Sequence, residues 1–270
     1  MQIIKEWAGL KAWDAVGKLQ FDKLVDEGLK PEHKLLDIGC GMLRAGKRLI
    51  PYLNTGNYYG VEKNQGHINS GKTWLIGEDI TTEGSHISVN ENFNFAFDES
   101  PKFDFIIAHS LFPHLQKRDI EVCLRNAKEV MADGCKFFAT FFEGEVGTIT
   151  WDKTDKVTIT HDGQDPYHHK FEVLSDLAKE VGLVAEYIGE WDHPREQRLL
   201  MFRKYATGGI VTHSIGDGFV THPIGPIPDM KDVITTTSDD VPEDEVQAEE
   251  SFFDPSTPHT FPGEVFNEPS

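Results

Sequence analysis

A short segment near the start of the chain, Lys34 to Gly46, limits the folds that the whole sequence can adopt. Its apolar run Leu35–Ile38 predicts a buried strand, and the following Gly39-Cys40-Gly41 predicts a tight turn. From Arg44 to Leu53 the apolar positions follow helical spacing. Strand, glycine turn and helix in this order are typical of the first unit of an α/β sheet that binds nucleotides. Both glycines permit positive φ and leave space for a ligand at the strand end, where the helix directs its N-terminal amides.

Two common nucleotide-binding motifs do not fit this turn. The dinucleotide fingerprint needs glycine at its sixth position, where this chain has Arg44. A phosphate-binding P-loop needs Gly-Lys-Ser/Thr, and Gly46-Lys47-Arg48 lacks the hydroxyl residue. Glu62 nevertheless favours a ligand, because it ends a second strand-like run, Tyr58–Val61, where a carboxylate can accept both hydroxyls of a ribose. A purely structural turn without a ligand stays open at this point.

Later segments predict the rest of a layered α/β fold. Phe103–Ala108 is a nearly continuous apolar run, which is expected for a strand covered on both faces. Lys117–Met131 is an amphipathic helix, and Cys135–Phe142 predicts the next strand. The remaining elements are a helix and two strands expected to pair antiparallel, Lys170–Val181, Leu183–Trp191 and Leu199–Tyr205. We therefore predict a doubly wound, mainly parallel seven-stranded sheet with an antiparallel closing strand.

Several titratable residues follow the predicted strands, and ligands of this fold bind beyond the carboxyl ends of strands. His109 and His114 follow one strand and are candidate bases or substrate contacts, while Glu143 follows the next strand. The alternatives are histidines that pack or bond to the backbone, and a plain exposed carboxylate. The pair His168-His169 is predicted to be solvated or to cap a helix, because adjacent positions point apart and no suitably spaced carboxylate completes a metal site. No metal site is predicted.

Three segments carry a resemblance to a known family: Asp37-Ile38-Gly39-Cys40-Gly41, Leu43-Arg44-Ala45-Gly46 and Gly60-Val61-Glu62. Together they resemble a class I S-adenosylmethionine (SAM) dependent methyltransferase, over most of residues 16–204. The resemblance implies that SAM is the cofactor, that the glycine loop receives its methionine part and that Glu62 holds its ribose. A third loop would frame the adenine, and the resemblance does not decide which of its three polar residues makes the contact. The implied cofactor-binding residues are Asp37, Gly39, Cys40, Gly41, Arg44, Glu62, Asn90, Glu91, Asn92, His109 and Ser110.

The same resemblance points to the methyl-transfer site. The family's fourth motif falls on the loop that begins with His109-Ser110, so this loop is expected to face the transferred methyl group. A tyrosine like Tyr167 stands at the substrate mouth in the family. The predicted catalytic residues are thus His109, His114, Glu143 and Tyr167.

The net charge and the cysteine content limit which partners and which cellular setting are expected. The formal net charge is −19, which argues against nucleic-acid binding and against docking on an anionic membrane. No apolar stretch approaches the length of a membrane span. The three cysteines are odd in number and fall in predicted core elements, which favours a reduced, cytoplasmic setting.

The composition divides the chain into a folded domain and a tail. We predict a methyltransferase domain over residues 1–205, with a helical cap over residues 1–30 that Gly17 divides into two helices. Residues 206–270 contain thirteen acidic residues against one lysine and are rich in proline, which predicts a largely disordered tail. A small hairpin is expected at residues 210–224. The scattered aromatic residues near the end resemble a docking peptide for a protein partner.

These observations and the resemblance predict an enzyme that transfers the methyl group of SAM to an oxygen or a nitrogen. The acceptor is expected to be a small molecule, and an accessible group on a macromolecule stays open. The alternative is a non-catalytic SAM-binding or scaffold protein whose acidic tail recruits a partner. A nicotinamide-dependent oxidoreductase is disfavoured by Arg44 in the turn.

Overall fold

The computed structural model describes residues 10–151, 157–159, 163–205, 210–215 and 218–223. Five α-helices lie in this part of the chain: α1 Leu10–Asp26, α2 Gly46–Tyr52, α3 Gln65–Gly77, α4 Lys117–Val130 and α5 Phe171–Glu180. The first strands are β1 Leu35–Ile38, β2 Tyr58–Glu62, β3 His86–Val89, β4 Phe103–Ala108, β5 Met131–Glu143 and β6 Ile149–Trp151. The later strands are β7 Val157–Ile159, β8 His168–His169, β9 Leu183–Gly189, β10 Arg198–Lys204, β11 Ile210–Ile215 and β12 Gly218–Pro223.

The main sheet has the strand order β3-β2-β1-β4-β5-β10-β9. Strands β1 to β5 pair in parallel, and β10 runs antiparallel to both β5 and β9. The predicted mainly parallel seven-stranded sheet with an antiparallel closing strand is therefore confirmed. The order reverses direction between β1 and β4, so their carboxyl ends border the crevice where this architecture binds ligands.

Apolar layers cover both faces of the sheet. Leu36 and Ile38 of β1 pack in one layer with residues of α4 and α5. Leu35 packs in the other layer with residues of α1, α2 and α3. All four residues of β1 are buried, which explains why the sequence shows an apolar run, interrupted only by Asp37, rather than an alternating pattern.

The first helix differs from the prediction at Gly17, because α1 continues through this residue instead of breaking there. A Cβ atom at Gly17 would lie 2.7 Å from the carbonyl oxygen of Arg44. The glycine thus allows α1 to pack against the backbone that follows β1, and the helical hydrogen bonds hold across it. Residues 1–9 lie outside the described part of the chain.

Two small hairpins stand apart from the main sheet. β6 pairs antiparallel with β7, and β11 pairs antiparallel with β12 inside the segment where a hairpin is expected. The predicted disordered tail after residue 223 lies outside the described residues, and the domain boundary at residue 205 stays a prediction. In the part of the chain that is described, no helix combines the length and hydropathy needed to cross a bilayer.

The His168-His169 pair departs from its predicted solvated or capping role. Both side chains are buried, because the pair forms β8 and adds in parallel to the end of β5. The His168 ring stacks on Phe142 with centroids 5.2 Å apart, and Nε2 of His169 lies 3.1 Å from the carbonyl oxygen of Leu115. Burial lowers the pKa of both imidazoles.

Candidate cofactor and methyl-transfer site

The glycine loop folds over the end of the neighbouring strand. The backbone amides of Gly39 and Cys40 donate to the carbonyl oxygen of Val61, at 2.8 and 3.0 Å. Gly39 and Gly41 have φ values of 72° and 53°, in the left-handed region that favours glycine. A Cβ atom at Gly41 would have only the oxygen of Gly39 within 4 Å, at 3.9 Å, so the space above this residue is open.

Glu62 ends β2 directly beside this loop. Its Oε2 accepts a hydrogen bond from the Gly41 amide at 3.2 Å, and its Oε1 accepts from the Asn64 amide at 3.0 Å. The side chain is largely buried, with 8% of the residue exposed. Nδ1 of His67 also lies 3.4 Å from Oε1. A carboxylate has about four lone-pair sites, so these contacts do not exhaust its capacity to accept from a ribose hydroxyl.

Asp37 lies inside β1 and does not face solvent. The hydroxyl group of Tyr58 donates to its Oδ2 at 2.8 Å. Burial raises the pKa of this carboxyl group to about 7, against the lowering effects of the Tyr58 hydrogen bond and of Arg44. Asp37 therefore carries only part of its negative charge near neutral pH.

Arg44 belongs to a polar network of five residues from separate parts of the chain, two of them in α1 and β5. Its Nε donates to Oε1 of Gln20 at 3.4 Å, and its Nη2 donates to Oγ of Ser110 at 3.5 Å. The Ser110 hydroxyl donates to Oε1 of Gln197 at 3.1 Å, and the hydroxyl of Thr140 donates to the same oxygen at 2.7 Å. Burial lowers the pKa of the Arg44 guanidinium to about 10.

Gln20 and Thr140 of this network were not predicted as site residues, whereas the family resemblance implies that the turn containing Gln197 approaches the catalytic face. All three are at least 98% buried. The available signal was a polar residue at an apolar position of a helix or strand, because such a group needs a partner when buried. Ser110 adds a second sign of a functional site, since it holds a φ of 58° that is uncommon outside glycine.

His109 is buried at the carboxyl end of β4. Its ring stacks on Trp191 with centroids 5.3 Å apart, and Trp191 stacks in turn on His193 at 5.4 Å. Among the described residues neither ring nitrogen of His109 has a hydrogen-bond partner. Burial, with added repulsion from Arg44 and His193, lowers its pKa to about 3, so the imidazole is neutral at physiological pH.

The three candidate adenine contacts differ in how they are engaged. The amide of Asn94 donates to Oδ1 of Asn92 at 3.1 Å, whereas Nδ2 of Asn90 donates to the Asn94 carbonyl oxygen at 2.5 Å. Oδ1 of Asn90 is buried and lacks a partner in the described part of the chain. Glu91 is exposed. The geometry thus leaves Asn90 with the free acceptor atom that an exocyclic amino group needs.

The other predicted catalytic residues are held by partners of their own. Nδ1 of His114 lies 2.7 Å from Oδ1 of Asp165. Tyr167 donates its hydroxyl to the Gly163 carbonyl oxygen at 3.3 Å. Glu143 accepts from the Tyr187 hydroxyl at 2.6 Å. Their contacts do not join them to the Arg44 network, and among the described residues no cluster of three or more potential ligands could hold a metal ion.

Comparisons with known proteins agree with this geometry. Residues 36–137 match the model of a methyltransferase domain family. The fold is similar to the CcbJ methyltransferase from Streptomyces caelestis, with a TM-score of 0.55, 15% identity and coverage of 76% of this chain and 96% of that one. It is also similar to magnesium protoporphyrin IX methyltransferase from Synechocystis PCC 6803 with bound SAH, with a TM-score of 0.54, 12% identity and coverage of 72% and 84%.

A third similar structure is a SAM-dependent methyltransferase from Clostridium acetobutylicum, with a TM-score of 0.54, 13% identity and coverage of 75% of this chain and 95% of that one. The family match begins inside β1 and ends in β5, so it contains the glycine loop, Glu62 and the His109-Ser110 loop. Strands β9 and β10 lie outside the family match and close the main sheet. Residues 36–137 thus match a methyltransferase domain family, and the chain shares its fold with SAM-dependent methyltransferases.

Proposed function

We propose that this protein binds SAM and transfers its methyl group to a small-molecule oxygen or nitrogen acceptor. The observation that supports this most directly is the contact between the Gly41 amide and Glu62, which places an open glycine loop beside a buried carboxylate. These are the groups that a methionine moiety and a ribose require at neighbouring positions. The net charge of −19 supports a small molecule over a nucleic acid as acceptor.

In this proposal each predicted cofactor residue meets a different part of SAM. Gly39, Cys40 and Gly41 approach the methionine part with their backbone, and the guanidinium of Arg44, three residues beyond Gly41, meets its carboxylate. Glu62 accepts from the ribose hydroxyls, and Asn90 accepts from the adenine amino group through its buried Oδ1. Asp37 is held by the Tyr58 hydroxyl, and Ser110 accepts from Arg44, so both take part in the contacts around the loop. SAM supplies an electrophilic methyl group on a sulfonium, so in-line positioning of the acceptor can provide much of the rate.

The acceptor side contains two histidines in different states. His109 is neutral and buried, which suits it to hydrogen bonding and not to taking a proton near pH 7. His114 is exposed, and Asp165 at 2.7 Å holds its Nδ1, which leaves Nε2 as the proton-accepting atom. We assign His114 as the base for an acceptor that must lose a proton. Glu143 and Tyr167 complete the predicted mouth.

Two measurements test the proposal. Calorimetric titration of the full chain with SAM should give saturable binding, and methyl-labelled SAM should label a component of a small-molecule filtrate. Protein that shows no saturable binding would refute the cofactor assignment. Binding without any transfer would favour the alternative, a SAM-binding scaffold protein.

We expect Glu62→Ala to weaken SAM binding by about 1.5 to 3 kcal/mol, the typical contribution of hydrogen bonds to a charged group. Glu62→Gln keeps the acceptor for one amide but loses the charge, so its loss should be smaller. Calorimetry measures both, and Glu83→Ala, which removes an exposed carboxylate before β3, is the matched control. An unchanged dissociation constant in Glu62→Ala would show that another residue holds the ribose.

A further inference from the structure

The seven arginines of the chain divide into two groups by their partners. Five have a carboxylate oxygen within ion-pair distance: Arg48, Arg118, Arg125, Arg198 and Arg203. The other two, Arg44 and Arg195, have no such partner among the described residues. In an acidic protein most arginines are expected to pair with a carboxylate. Two arginines without a carboxylate partner are therefore candidates for binding an anion from outside the chain.

Arg195 lies in the turn between β9 and β10, at the carboxyl edge of the parallel strands. Its guanidinium carbon is 5.4 Å from the centre of the Phe142 ring, and its backbone amide donates to Nδ1 of His193 at 3.2 Å. Phe142 is buried at the end of β5. Packing on this ring fixes the position of a side chain that is otherwise exposed.

Arg195 and His109 belong to one continuous row of contacts. The row begins after β4, where His109 stacks on Trp191 and Trp191 stacks on His193. It continues through the hydrogen bond from the Arg195 amide to His193 and ends at β5, where Arg195 packs on Phe142. This row borders the space beyond the strand ends, where the acceptor has to reach the methyl group.

The two unpaired arginines are close enough to repel each other. Arg195 contributes to the lowered pKa of Arg44, whose hydrogen bonds at 3.4 and 3.5 Å go to neutral oxygens. Asp37 attracts Arg44 but is itself only partly ionised near neutral pH, so a further anion is needed to compensate this half-buried cation. The carboxylate of SAM can compensate Arg44, and this leaves Arg195 for a second anion.

We propose that Arg195 recognises an anionic group on the methyl acceptor, so that the substrate is a small-molecule anion. This inference rests on the proposed methyl transfer. A guanidinium presents a planar fork that matches a carboxylate or a phosphate equally well. The anionic group positions the acceptor, while its nucleophilic oxygen or nitrogen faces the sulfonium methyl.

The test fractionates the acceptor before the reaction. A deproteinised small-molecule filtrate of a cell extract is separated on an anion-exchange resin at pH 8, and each fraction is incubated with the full chain and methyl-tritiated SAM. Acceptor activity is expected in the retained fraction and should fall at least ~10-fold in Arg195→Gln. Phosphatase treatment of the retained fraction separates the two sources, because only a phosphate monoester would then lose its retention.

Variants distinguish recognition of the acceptor from other effects. Arg195→Gln should keep SAM affinity within about twofold, Arg195→Lys should recover part of the activity because it keeps the charge, and Arg203→Gln should change neither. Acceptor activity in the unretained fraction, or an equal loss of SAM affinity in Arg195→Gln, would overturn the inference while leaving methyl transfer in place. Absence of labelled product from every fraction would instead overturn the proposed function, and this inference with it.

Discussion

Gly41→Val is expected to abolish measurable SAM binding. Gly41 has a φ of 53°, and a Cβ atom there would point into the open space above the loop, with only the Gly39 oxygen within 4 Å. A branched side chain in that space would fill the volume that the methionine part of SAM needs. We expect no saturable calorimetric heat, equivalent to at least a ~100-fold weaker affinity, which corresponds to about 2.7 kcal/mol.

Backbone strain and steric exclusion can be separated by a second glycine. Gly56 has a φ of 91° and no atom within 4 Å of its added Cβ, so Gly56→Val carries similar strain in a turn without a ligand. Both variants should lose some thermal stability, since positive φ costs a branched residue roughly 1–2 kcal/mol. Only Gly41→Val should lose SAM binding, and normal binding by this variant would show that the loop does not receive the cofactor.

Stability should depend on pH through two buried groups with opposite signs. The pKa of Asp37 is raised to about 7 in the folded chain, so the folded state binds its proton more tightly than the unfolded state. This contribution is fully present below the unfolded pKa near 4 and is lost as pH rises through about 7, at a cost on the order of 4 kcal/mol. The pKa of His109 is lowered to about 3, so its contribution is present above about 6.5 and is lost as pH falls.

Two neutral variants should reveal these opposing slopes. The free energy of unfolding of Asp37→Asn should rise relative to the natural chain as pH increases from about 4 to 7. That of His109→Gln should rise relative to the natural chain as pH decreases from about 6.5 to 4.5, by up to about 3 kcal/mol. Urea unfolding at several pH values measures both differences, with the exposed Asp26→Asn as control. Slopes of the same sign, or flat differences, would contradict the assigned burial effects.

Much of the fold could be predicted from the sequence because the local pattern of apolar residues indicates which faces of a strand or helix are buried. The continuous apolar run of β4 indicated a strand covered on both faces, and every residue of it except Asp104 is buried in the structure. The glycine spacing after β1 indicated a turn with positive φ, which the values at Gly39 and Gly41 show. These features depend on neighbours within a few residues, so they can be predicted from the local sequence.

The interior of the site depends on contacts between distant residues. Ser110 meets Gln197, 87 positions further along the chain, and no periodic pattern connects them. The predicted helix break at Gly17 was wrong. The glycine allows close packing against the Arg44 carbonyl oxygen and does not end the helix. The predicted solvated role of His168-His169 was wrong because β8 adds to the end of β5.

The sequence by itself determined the layered α/β class, the glycine loop and the carboxylate that ends β2, since each is a property of one short segment. Only the tertiary structure decided the ionisation of Asp37 and His109, because a pKa depends on burial and on charges that folding brings near. It also decided that Arg195 lies on Phe142 without a carboxylate among the described residues, while five other arginines have one. Charge counts along a chain cannot show which charges remain unpaired, since pairing is a matter of distance in space.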